Sequence, residues 1–255
     1  MIDIKKAEEE FKKYVSNYDI TQKPIDRKKF HTLRVEKICE EIAKKYGMSE
    51  EDIKLAKLIG LLHDIARFEQ HTIYETYDDL SSIDHGDLAV EILKKDNYIR
   101  KYIDTDKYDE IILKAIKYHN KYSIGDDISE EEELFCKIIR DADKLDIFYI
   151  KVNESLESQK EEIEKEMITK ETYEQFMRKE VVDRKNVKNN LDRIIVLVAF
   201  IYDLNFNECY KIVKENNYID RVIDLFDFKE QDTINKMELV RKMANEYINN
   251  KLKEE

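Results

Sequence analysis

Apolar residues recur at three- and four-residue spacing in segment after segment of the chain, which predicts helices. A first helix is expected over residues 3–17, followed by a linker over 17–23 that ends before Pro24. The next, over about 28–45, carries Val35, Ile38, Cys39, Ile42 and Tyr46 at helical spacing, with His31 four residues before Val35 and therefore facing inward. Gly47 reads as its carboxyl-terminal cap, and Ser49-Glu50-Glu51-Asp52 as the start of a helix running to about Arg67. Apolar residues nearly encircle that helix, which marks it as central. Residues 68–84 carry no persistent stripe and read as a partly ordered loop. Asp84 can cap a helix beginning at His85. Further helices are expected over about 108–122 and, after an acidic turn at 125–133, from Leu134 onward. Residues 151–255 predict three or four more: a charged, solvated stretch at 154–170, a core helix at 191–204, and amphipathic helices at 212–228 and 234–252.

Composition strengthens that reading. One proline and four glycines in 255 residues leave little punctuation for turns or sheets, while Lys, Glu, Ile and Leu abound. The formal charge of −12 argues against a nucleic-acid polymer as partner, because such binding draws on clustered cations. It leaves room for a small anionic substrate in a locally basic pocket. Cys39, Cys136 and Cys209 are isolated within apolar patterns, as expected of buried thiols in a reducing compartment. No charged-then-apolar leader opens the chain, and its most apolar run, 194–202, is far shorter than the roughly 20 residues that span a bilayer. The expectation is a cytoplasmic protein without membrane contact.

The candidate chemistry lies in the histidines. His63-Asp64 ends the apolar run Leu58-Ile59-Gly60-Leu61-Leu62, where both groups are costly to bury unless something such as a metal ion satisfies them. His31, His85, His119 and Asp143 stand in or at the start of their own expected helices, so four of the five histidines enter one pattern. His71, in the expected loop, stands outside it. Imidazole and carboxylate together suit a divalent transition metal such as Mn, Fe, Co, Ni or Zn. Periodicity alone does not choose between Asp141 and Asp143, which share one helix.

The ordered series His31-Thr32-Leu33-Arg34-Val35, Gly60-Leu61-Leu62-His63-Asp64-Ile65, His85-Gly86, Tyr118-His119 and Ala142-Asp143-Lys144-Leu145 resembles the HD superfamily of metal-dependent phosphohydrolases. The resemblance spans about 26–150 and implies an HD-domain helical bundle as the core of a single all-helical unit. Residues 151–255 then form a helical extension, a lid or an interface, and a homodimer is allowed. It also implies that His31, His63, Asp64 and Asp143 hold one ion, selecting Asp143 over Asp141. His85 and His119 extend the set to two ions with Asp64 bridging; with one ion they would contact phosphate or donate protons. Asp64, His85, His119 and Arg67 form the implied catalytic set. Arg34, Arg67, Lys144 and Asp146 are candidates for substrate contact, and Arg140 and Lys121 lie beside motif residues too.

The implied reaction is hydrolysis of a phosphate ester of a small metabolite, most naturally a nucleotide. Departures within the series narrow the field. Arg67-Phe68 stands where HD guanosine tetraphosphate hydrolases carry an acidic pair, and the Gly-Tyr-Pro signature of the HD-GYP type is missing. The series looks like a stand-alone group of bacterial HD proteins. Two other classes share the ligand set: an HD-type di-iron oxygenase, and a non-enzymatic sensor or interaction module that keeps its metal for folding.

Overall fold

The computed structural model describes residues 2–153 and 157–254, and among them the protein is all-α with no strand. The chain divides into two compact units, residues 1–143 and 144–255.

The first unit begins with α1 (Ile4–Val15) and the long α2 (Lys23–Lys45), which starts earlier than expected because Pro24 sits in its first turn, where a missing N–H costs nothing. Gly47, at φ +80°, closes α2, and Ser49 caps α3 (Glu50–Leu62) by accepting from the Asp52 N–H. The short connection makes α2 and α3 an antiparallel pair. They meet backbone to backbone at Gly60: a Cβ there would lie 2.8 Å from the Glu36 Cα and 3.0 Å from the Cys39 Sγ. That close approach brings the His31 turn of α2 against the His63 end of α3. Cys39, Cys136 and Cys209 are buried free thiols, and no described helix is long and apolar enough to cross a membrane.

The expected helix from Ser49 to Arg67 is in fact two. α3 ends at Leu62 and α4 (Ala66–Tyr74) begins after a tight junction, in which the N–H groups of Ile65 and Arg67 donate to the carbonyls of Leu62 and Asp64. His63 and Ile65 keep right-handed helical dihedrals, so no glycine or proline announces the break. α4 also corrects the expected loop, and it places His71 on a helix. Its buried face carries Arg67 and Gln70 beside Phe68, so hydrophobic periodicity could not reveal it. After Glu75, at φ 54°, the irregular segment 75–84 contains one 3-10 turn, Asp79–Ser81.

Asp84 caps α5 (His85–Lys94) as expected, accepting from the Asp87 N–H. Gly86 lets α5 sit on the end of α6 (Asp109–Tyr118): a Cβ there would fall 2.6 Å from Asn120 Oδ1 and 2.9 Å from the Lys117 carbonyl. α7 (Glu130–Asn153) starts four residues before the expected Leu134. Ser129 and Glu132 form a reciprocal capping box, and Glu130–Glu133 place negative charge at the positive end of the helix. The last four residues of the expected acidic turn, 130–133, are the first turn of α7.

The division between units falls inside α7, after Asp143. The second unit contains the rest of α7, α8 (Glu157–Lys165), α9 (Lys170–Met177), α10 (Asn190–Ala199), α11 (Asn207–Glu215), α12 (Tyr218–Ile223) and α13 (Gln231–Lys251). These are more and shorter helices than the three or four expected. Asn217, at φ 52°, separates α11 from α12 within the expected 212–228 helix. Of the stretch expected to be solvated, residues 154–156 lie outside the described residues, while Ile163 and Glu164 are buried. Phe148, Leu191, Ile195, Val198, Val213 and Val240 build the core of this unit, with Phe148 stacked on Tyr218.

Candidate metal centre

Six residues predicted from sequence converge inside the first unit. α2 supplies His31, the α3–α4 junction His63 and Asp64, the first turn of α5 His85, the end of α6 His119, and α7 Asp143. Asp64 is the pivot, only 2% exposed. Its Oδ2 lies 3.4 Å from His31 Nε2 and 3.6 Å from His63 Nε2. Its Oδ1 lies 3.4 Å from His85 Nε2 and 3.7 Å from His119 Nε2. One carboxylate thus offers an oxygen to each of two imidazole pairs, and each trio is close enough to share an ion. Ligand atoms roughly 2.0–2.2 Å from a common metal sit about 3–3.5 Å from one another, close to these separations.

Asp143 reaches the cluster: its Oδ1 is 3.1 Å from His31 Nε2 and 3.8 Å from His63 Nε2. Asp141 is fully buried and has partners of its own.

The protonation pattern argues for cations. His63 Nδ1 donates to the Gly60 carbonyl at 2.7 Å and His119 Nδ1 to the Ile116 carbonyl at 2.6 Å, since a carbonyl can only accept. His85 Nδ1 faces Asp79 Oδ2 at 2.7 Å. Burial lowers the His63 pKa to about 4 against the pull of Asp64 and Asp143. Burial and then Arg67 lower that of His85 to about 3. Neutral rings at His63 and His85, with Nδ1 protonated, turn bare Nε2 lone pairs inward toward Asp64, toward His31 Nε2 at 3.3 Å and toward His119 Nε2 at 2.9 Å. Such lone pairs repel unless a positive ion lies between them. Burial alone would raise the Asp64 carboxyl, but Lys28 and then the imidazoles hold it well below its ordinary range. The donor set therefore fits divalent metal, and Asp64 belongs to both trios that could hold one.

Around this cluster lie residues the sequence reading missed. The Lys28 ammonium, 17% exposed, sits 2.7 Å from Asp64 Oδ2 and over the Tyr77 ring; its only sequence signal is its place three residues before His31. Asp79 and Asn120 lie at the outer nitrogen of His85, and Gln70 donates to Asp79. Nothing periodic marks them.

The candidate substrate contacts divide. Arg67 is buried beside the centre, its Nε 3.5 Å from Asp64 Oδ1, and its Nη1 donates to Gln70, the Tyr77 carbonyl and Asp79. Arg34 is half-buried on α2. Arg140 Nη1 donates to the carbonyls of Tyr118 and Lys121, capping the end of α6, and Lys121 pairs with Asp84 and Asp87. Lys144 and Asp146 are buried residues of the second unit, where Lys144 pairs with Asp203 at 2.7 Å. His71 stacks beside Tyr77 and belongs to neither trio.

Buried imidazoles paired across an aspartate within a helical bundle define a metalloprotein of the His-Asp class. The HD domain family matches residues 30–147, so this stretch of the chain is an HD domain. HD domains bind divalent metals and are generally metal-dependent hydrolases. Neither the curated proteins nor the solved structures contain a match to this chain.

Proposed function

We propose that this protein is a two-metal phosphohydrolase acting on a phosphate ester of a small metabolite, with nucleotides as the substrate class. The carrying observation is Asp64, one oxygen toward His31 and His63 and the other toward His85 and His119. In this reading His31, His63, Asp64 and Asp143 hold one ion, and Asp64, His85 and His119 the other. The bound ions, drawn from Mn, Fe, Co, Ni and Zn, supply Lewis acidity at a phosphoryl oxygen and acidify a water nucleophile. Burial keeps His63 and His85 neutral, and the outer-nitrogen contacts of His63, His85 and His119 place Nδ1–H outward, leaving their Nε2 free to coordinate. Two carboxylates only half neutralise two dications, so the site retains positive charge for a phosphate, and Lys28 adds more.

Protein loaded with each metal in turn is tested for phosphate release over a panel of nucleoside mono-, di- and triphosphates and phosphodiesters. Release from at least one class, lost on chelation, supports the proposal. Dioxygen uptake with an organic substrate and no phosphate release replaces it with the di-iron oxygenase. Neither activity in a metal-replete sample replaces it with a non-enzymatic module.

A further inference from the structure

The imidazoles of the centre are not held alike. His63 and His119 stand at helix ends, and each donates its outer N–H to the carbonyl three residues back on its own helix. His85 is the first residue of α5, so no preceding turn of that helix offers it a carbonyl. Its outer nitrogen meets a side chain instead, Asp79 Oδ2 at 2.7 Å, from the 3-10 turn between α4 and α5.

Asp79 is itself held on both oxygens. Oδ1 accepts from Arg67 Nη1 and Gln70 Nε2, each at 3.0 Å, and Oδ2 also accepts from Asn120 Nδ2 at 3.2 Å. Gln70 further donates to Ser82 Oγ and the Ile83 carbonyl, tying the irregular segment to α4. Burial would raise the Asp79 carboxyl, yet the His85 hydrogen bond, then His85 and Arg67 charge, hold it far below its ordinary range. A carboxylate so anchored fixes the ring plane and tautomer of His85 and makes its Nε2 a better donor.

We infer that Asp79, locked by Arg67 and Gln70, is the positioning residue of the His85/His119 half of the centre, so that its carboxylate governs the second ion and not the first. The inference rests on the two-metal reading. It gives Arg67 a structural task at the centre, because its Nη1 is occupied by Asp79, Gln70 and the Tyr77 carbonyl.

The test is a cobalt(II) titration of the full chain, read by the ligand-field spectrum and by metal analysis after desalting. Asp79→Ala is expected to leave the first ion unchanged and to weaken the second about 10–100-fold, so that about one ion per chain survives desalting. Asp78→Ala, which removes the neighbouring carboxylate that caps the same 3-10 turn, is expected to keep both ions. Asp79→Asn keeps an oxygen acceptor for His85 but loses the charge, and should show a smaller loss of the second ion; it decides the matter if the alanine variant does not fold. Wild-type affinity for both ions in the Asp79 variants, equal losses in Asp78→Ala and Asp79→Ala, or loss of the first ion together with the second would each overturn the inference. A wild-type chain that holds fewer than two ions would overturn the two-metal reading and this inference with it. Two ions with no phosphate release would count against the proposed reaction alone.

Discussion

Both units bury carboxylates, but they satisfy them in opposite ways. In the second unit Asp192 is fully buried and accepts from the N–H groups of Thr169 and Lys188 and from the Thr169 hydroxyl. Glu164 likewise takes the Asp227 N–H and Glu166 the Leu191 N–H. Each of these carboxylates closes a backbone junction, and its hydrogen bonds come from donors the fold supplies. In the first unit Asp64 faces four imidazole nitrogens, and three of those rings, His63, His85 and His119, have their outer Nδ1 turned to a carbonyl or carboxylate acceptor, which leaves Nε2 toward Asp64. The difference separates a carboxylate that ends a structural network from one that awaits a cation. Burial alone does not mark function; what marks it is a cluster of imidazole and carboxylate acceptors larger than the Lys28 ammonium beside it can satisfy.

The largest effect that contrast predicts is at its pivot. Asp64→Ala removes the only carboxylate shared by both trios, so binding of both ions and all metal-dependent turnover should vanish. Full metal content in that variant would mean that the imidazoles suffice. Next in size, His85→Ala and His119→Ala should each lower occupancy from about two ions toward one, with phosphate release falling in parallel. Unchanged occupancy in both would reduce the centre to a single ion at His31, His63, Asp64 and Asp143.

A smaller effect separates the neighbouring aspartates of α7. Asp143→Asn should lose metal and activity far more completely than Asp141→Asn, because Asp143 reaches the imidazoles. The reverse order would show that the carboxylate following His31 and His63 in space is not the one that binds. The smallest effect on the metal belongs to the second unit. Asp192→Ala should leave metal content untouched while costing about 1–3 kcal/mol of stability for the buried N–H groups it strands, measured by denaturant unfolding. Metal loss in that variant would break the contrast between the two regions.

The all-helical class and the inward placement of His31 were legible because each rests on helical spacing. The six residues of the cluster were legible because their order along the chain matches a family series; spacing alone did not choose between Asp141 and Asp143. Two things escaped for physical reasons. The break after Leu62 keeps helical dihedrals, so no residue type signals it. α4 and the 3-10 turn after it turn Arg67, Gln70 and Asp79 inward, and a buried polar face is invisible to a search for apolar stripes. Gln70 and Asp79 were therefore hidden in what reads as a loop, and Lys28 at the start of the expected 28–45 helix carried no signal of its own beyond its nearness to His31. Lys144 illustrates the converse, a motif residue whose ammonium pairs with Asp203 in the second unit.

The most direct measurement is the metal content of the wild-type chain, purified without chelator, reloaded with a divalent transition metal and analysed by mass spectrometry after desalting. The account predicts about two ions per chain, both removed by a strong chelator and restored on reloading. A chain that retains none after reloading would contradict it, because the inward lone pairs of His85 and His119 at 2.9 Å would then have to be relieved by protons.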